Sequence, residues 1–144
     1  LKGFLEKLSA SYSYVVMDNE AGMEHLSRRT TRNVNALLIV ANPSVTALRS
    51  AGRIHQLVQD IKLGIDKTYL VLNRIDSASG ALAPGSVMAD KLDELEAAGL
   101  PLLGEMAYDE GVVARSMDAE GVMDLPDDSP ALTAVGDMMQ RLAA

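Results

Sequence analysis

Short runs of branched apolar residues alternate along the chain with segments whose apolar positions recur every three or four residues. The runs fall at 14–17, 36–40, 68–72 and 102–106. The first three are nearly continuous in apolar character, as in strands covered on both faces of a parallel sheet; Gly104 and Glu105 interrupt the fourth. Between the second and third runs, Leu48, Ala51, Ile54, Val58 and Ile61 share one face of a helix predicted over 45–63. The turn Asn42-Pro43-Ser44 caps it, Gly64 stops it, and His55 falls within it as a partly exposed residue. A second helix is predicted over 87–98, with Met88, Leu92, Leu95 and Ala98 inward and Gly99 as its stop. Flanking helices are predicted over 1–8 and 130–143, the latter opened by Asp128-Ser129-Pro130. Residues 77–85 read as a small-residue loop.

Strands alternating with helices predict an α/β class domain, a mostly parallel sheet with flanking helices, over 1–144. Ligands of such sheets bind outside the carboxyl ends of the strands, which directs attention to the positions after Met17, Val40, Leu72 and Met106.

Composition narrows the chemistry. Thirteen basic and twenty acidic residues among 144 give a net charge of −7, a poor match to a nucleic-acid backbone, so no nucleic-acid partner is expected. Cysteine is absent, which removes disulfides, thiolate metal sites and thiol nucleophiles and fits a cytoplasmic setting. The longest apolar run, 36–41, is far short of the ~20 residues that span a bilayer, and no membrane partner is expected. Leu1 already lies inside the first predicted helix, which reads as a piece of something longer.

At the first strand end stand Asp18, Glu20, Ala21, Gly22, Glu24 and His25. An aspartate there suits magnesium held through water, and Gly22 lets backbone approach a phosphate; the alternative is a polar residue and a loop glycine that simply end a strand. His25 with Glu20 and Glu24 is a weak metal cluster and a better switch-loop or interface residue. Arg28, Arg29 and Arg32 form a basic patch, read first as a solvated face and second as a partner contact. After the third strand, the Asn73 amide carries the donors and acceptor to pair with a purine edge, and Arg74 can stack on a base. Tyr108 and Asp109 form a further wall of that pocket or, in the simpler reading, pack at a strand exit. The phosphate-loop pattern G-x-x-x-x-G-K-[ST] does not occur in these 144 residues, nor do G-x-S-x-G or H-E-x-x-H.

The stretch 14–31, Tyr-Val-Val-Met-Asp-Asn-Glu-Ala-Gly-Met-Glu-His-Leu-Ser-Arg-Arg-Thr-Thr, resembles the switch II region of MinD/ParA-type (SIMIBI class) P-loop ATPases. Its Glu-Ala-Gly-Met-Glu-His wording is nearest to the CooC group of carbon monoxide dehydrogenase maturation factors. The strand 36–40 with its turn, the 70–74 strand ending in Asn73-Arg74, and the 104–109 and 125–130 stretches follow in the family's order. The resemblance implies an incomplete P-loop NTPase-like fold, with ATP/ADP and magnesium as cofactors. It implies that Asp18 helps hold the metal and that Gly22 senses the γ-phosphate. Asn73 and Arg74 would then lie at the base, with Glu24 and His25 near a nucleotide-dependent homodimer interface. It further implies a client metalloenzyme such as carbon monoxide dehydrogenase and a role in nickel insertion. The family's two-lysine phosphate loop, switch I aspartate and Cys-x-Cys dimer metal site have no counterpart in these residues, so no metal-binding site is carried over. The expectation is the C-terminal portion of a longer ATPase, with no ATP turnover of its own. Two other readings are a non-enzymatic interaction module and a cell-division or partition-type positioning ATPase. Arg141 is the single basic residue of 130–143, which disfavours the membrane helix that a positioning ATPase calls for.

Overall fold

A computed structural model describes residues 8, 10–19, 34–62, 64–76, 82–118 and 121–143. Three strands, β1 (Val34–Ala41), β2 (Ile65–Ile75) and β3 (Leu102–Ala107), form a parallel sheet in the order β1-β2-β3. Among the described residues they are accompanied by the helices α1 (Val45–Asp60), α2 (Val87–Ala97), α3 (Glu110–Met117) and α4 (Pro130–Ala143) and by a 3-10 turn at Val122–Asp124.

Strand periodicity decides which residue meets which helix. On one face of the sheet, Ile39, Ala41, Leu70, Leu72 and Ile75 pack with Leu48 and Ala51 of α1 and Met88 and Leu95 of α2. On the other, Val71 and Leu103 pack with Met138 of α4, joined by Tyr69, Met106 and Leu142. β2 is thereby covered on both sides, and Leu48, Leu70, Leu72 and Leu100 are fully buried. Each such side chain stabilises the fold by about 1.5–3 kcal/mol. The second face is bare over β1, where Val40 is 57% exposed and no described element covers it.

The helix ends follow local chemistry. Ser44 and Ser86 cap α1 and α2, each side chain accepting from an amide three residues on, of Ala47 and Ala89, at 3.1 Å. At the end of α2, Gly99 adopts φ +89°, Gly99 N–H donates to Glu96 O and Leu100 N–H to Leu95 O, and the buried Leu100 and Leu95 complete the motif. α1 stops at Asp60 rather than 63: the Ile61 amide closes the last turn on Leu57 O, and Lys62, not a glycine, takes the left-handed position at φ 49°.

Three further expectations are corrected. Residues 14–17 form no strand; Tyr14 is 63% and Val16 86% exposed, because no described strand takes up their backbone hydrogen bonds. His55 is only 6% exposed, its Nε2 3.2 Å from Ala98 O, so it ties α1 to the end of α2 while its Nδ1 stays buried without a partner. Ala98, expected inward, is exposed. Of the helix expected over 1–8, only Leu8 is described, and it is helical.

α4 approaches β3 through Gly104, where an added Cβ would lie 2.6 Å from Met138 Cγ and 2.9 Å from its Sδ. Gly104→Ala is therefore expected to destabilise the domain by about 1–3 kcal/mol, read from the midpoint of urea unfolding. An unchanged midpoint would show that the Gly104–Met138 contact relaxes freely.

Candidate functional site

Because the three strands are parallel, Asn42, the last residues of β2 and Tyr108-Asp109 lie at one edge of the sheet; Asn73 and Arg74, expected after their strand, lie within β2, which runs on to Ile75. α1, α2 and α3 follow these exits, so their N-termini, the positive ends of their dipoles, belong to the same edge. An anionic ligand is favoured there on electrostatic grounds.

The exit of β2 is irregular. Leu72 pairs with Glu105 and Ile75 with Ala107, so β2 spends three steps where β3 spends two. The extra residue makes a bulge containing Asn73 and Arg74, and Arg74 sits at φ 60°. A left-handed backbone at a residue other than glycine costs about 1 kcal/mol or more and is held here by the pairing on either side. Asn73 is half-buried, and its amide makes no hydrogen bond to any described residue. Tyr108 N–H donates to Ile75 O at 3.0 Å, and the Tyr108 ring is half exposed.

Asp109 is engaged on both oxygens. Its Oδ1 accepts from the amides of Gly111 (2.8 Å) and Val112 (3.3 Å), capping α3. Its Oδ2 accepts from Ser129 Oγ (2.6 Å) and the Ala131 amide (3.2 Å), at the start of α4. The Ser129 hydroxyl, followed by the Ala131 amide, holds the Asp109 carboxyl below its ordinary value; burial opposes this and the two α3 amides reinforce it.

The structure thus brings Asn73, Arg74, Tyr108 and Asp109 to adjacent strand exits. Asp18 is exposed at the end of the unpaired 14–19 segment and shares no hydrogen bond with them. Glu20, Ala21, Gly22, Glu24, His25, Arg28, Arg29 and Arg32 lie outside the described residues. Among the described residues no three acidic or histidine side chains converge as a metal cluster. An exposed carboxylate such as Asp18 fits magnesium all the same, since that ion keeps most of its waters and takes one or two protein carboxylates. Sequence reasoning missed α3 and the double use of Asp109. The available signal was an aspartate directly before Glu110-Gly111, a common helix start.

Comparison with known proteins gives a consistent outcome. No protein-family model matches the chain. An uncharacterised ATP-binding protein of Methanocaldococcus jannaschii is 28% identical over 142 residues, 99% of this chain and 53% of that protein. The carbon monoxide dehydrogenase accessory protein CooC of Rhodospirillum rubrum is 31% identical over 117 residues, 81% of this chain and 39% of CooC. Among solved structures, the MinD cell division protein of Aquifex aeolicus superposes with a TM-score of 0.77 at 24% identity, covering 98% of this chain and 58% of that one. The septum site-determining protein MinD of Pyrococcus horikoshii, solved with Mg-ADP, gives 0.66 at 18% identity, covering 97% of this chain and 54% of that one. The chain spans about half the length, or less, of the curated relatives it matches. The sheet with its flanking helices matches the MinD/ParA P-loop NTPase-like fold, and the relatives support the MinD/ParA-type family of ATP-binding proteins.

The depressed Asp109 carboxyl gives the fold an acid limb of known sign. Its contribution is fully present above the unfolded value and is lost as pH falls through the lower folded one. Unfolding midpoints followed downward from pH 5 should drop below about 3.8, with a shallower drop in Asp109→Asn. Superimposable acid limbs would contradict this assignment.

Proposed function

We propose that this chain is the C-terminal portion of a magnesium-dependent MinD/ParA-type ATPase, contributing the base-side wall of its nucleotide site. The carrying observation is the shared edge, at which the half-buried Asn73 amide, without a hydrogen bond to any described residue, stands beside the exit that bears Tyr108. An amide offers paired hydrogen bonds to a purine edge, and a half-exposed aromatic ring offers a face for stacking. Asp18 would hold magnesium through water, and Gly22 would meet the terminal phosphate. Phosphoryl transfer is mostly positioning and charge stabilisation, and it needs cationic groups at the phosphates that these residues do not supply. The active protein would be a homodimer driven by nucleotide, with Glu24, His25, Arg28 and Arg29 toward the partner.

Within that family, the Glu-Ala-Gly-Met-Glu-His stretch and the likeness to CooC support metallocentre assembly, with nickel insertion into an enzyme such as carbon monoxide dehydrogenase as the task. The likeness to MinD supports a second reading, a positioning ATPase of cell division.

Calorimetric titration of magnesium-ATP into the 144-residue chain, and into the full product of its natural reading frame, tests the proposal. The full product is expected to bind ATP and to lose about tenfold in affinity on Asn73→Ala, the cost of one lost hydrogen-bonding group. The 144-residue chain is expected to show no ATP turnover above an Asp18→Ala control. Absence of binding in both proteins would overturn the nucleotide reading.

A further inference from the structure

We propose that Asp109 is a positioning residue for base recognition: its single carboxylate joins the starts of α3 and α4 and so fixes Tyr108, the residue before it, beside the exit of β2. The inference rests on the nucleotide reading above and deepens it, because it says what fixes the base-side geometry.

Three links carry it. Tyr108 is anchored by its own amide to Ile75 O, immediately beyond the Asn73–Arg74 bulge. The next side chain, Asp109, is anchored to the first turn of α3 through the Gly111 and Val112 amides. The same side chain reaches across 20 residues of sequence to Ser129 Oγ at 2.6 Å and, beside it, to the Ala131 amide. Ser129 is buried, and its hydroxyl, having donated to Asp109, accepts from the Leu132 amide at 3.4 Å. Tyr108 therefore stands between two fixed points, one on β2 and one shared by two helices.

A carboxylate is the group this junction calls for. Every partner donates: three amides and one hydroxyl converge on two oxygens that offer about four acceptor sites. With those sites engaged, the carboxylate has no acceptor left for a base or ribose, so it shapes the pocket without touching the ligand. An asparagine retains one accepting oxygen for α3 but turns an NH2 toward the Ala131 amide, donor against donor. Asp109→Asn thus keeps one cap and opens the other. Ser129→Ala loosens the same junction from the far side without altering the strand exit.

The test compares the full product of the natural reading frame with its Asp109→Asn, Ser129→Ala and doubly substituted forms, using magnesium-ATP and magnesium-GTP as probes. Amide hydrogen exchange is read without nucleotide. Exchange at Tyr108 and Ala131 should accelerate in each variant while Ile39 and Leu70 stay protected. ATP affinity should fall about tenfold, GTP affinity by no more than about threefold, so that base preference narrows. The double variant should be no worse than the weaker single one, since both break one shared junction. A helix cap of purely structural importance would weaken both nucleotides alike, and an unchanged ATP-to-GTP ratio would overturn the proposal. Unchanged exchange at Ala131 would do the same. Failure of the unsubstituted protein to bind ATP would instead overturn the nucleotide reading, and this proposal with it.

Discussion

The middle strand of a parallel sheet carries apolar residues on both faces, and in β2 both faces are kept from water. Leu70, Val71 and Leu72 are consecutive and all buried, so helices must lie on both sides of the sheet. α1 and α2 meet Leu70 and Leu72, and α4 meets Val71. Joining parallel strands by way of helices returns the chain to the same end of the sheet each time, so loops and helix N-termini collect at one edge. The location of the candidate site is a consequence of how a three-residue apolar run is kept dry.

What could be read from the sequence was what local chemistry decides. The pattern around Leu70–Leu72, the serines before α1 and α2, the glycine after α2 and the opening of α4 at Pro130 are each set within a few residues. The apolar run at 14–17 carries the same signal as β2 but not the same outcome. Such a run requires cover without saying what supplies it, and Val16 finds none among the described residues. His55 failed in the opposite sense: a polar residue on an amphipathic helix reads as exposed, yet its partner, Ala98 O, lies 43 positions away. α3 is short, with no fully buried residue, and gives the periodicity little to register.

The site divides along the same line. That Asn73 and Tyr108 lie toward the same end of the sheet follows from parallel strands, which alternation predicts. The bulge that puts Arg74 at positive φ does not, since arginine carries no local preference for that backbone. Nor does the use of Asp109: the residue type announces a helix cap or a ligand contact equally well, and only Ser129, brought close by the fold, reveals a carboxylate serving two helices. The relatives support an ATP-binding family, and the solved neighbours share its fold.

The notch at Gly104 has an evolutionary corollary. Position 104 has no room for a methyl group as long as a methionine fills position 138, and a smaller residue at 138 would leave a void over Val71 and Leu103. The two sites therefore drift as a pair, and either order of change crosses a less stable intermediate, so descendants of this fold should carry either the glycine with a long partner or a larger residue with a short one.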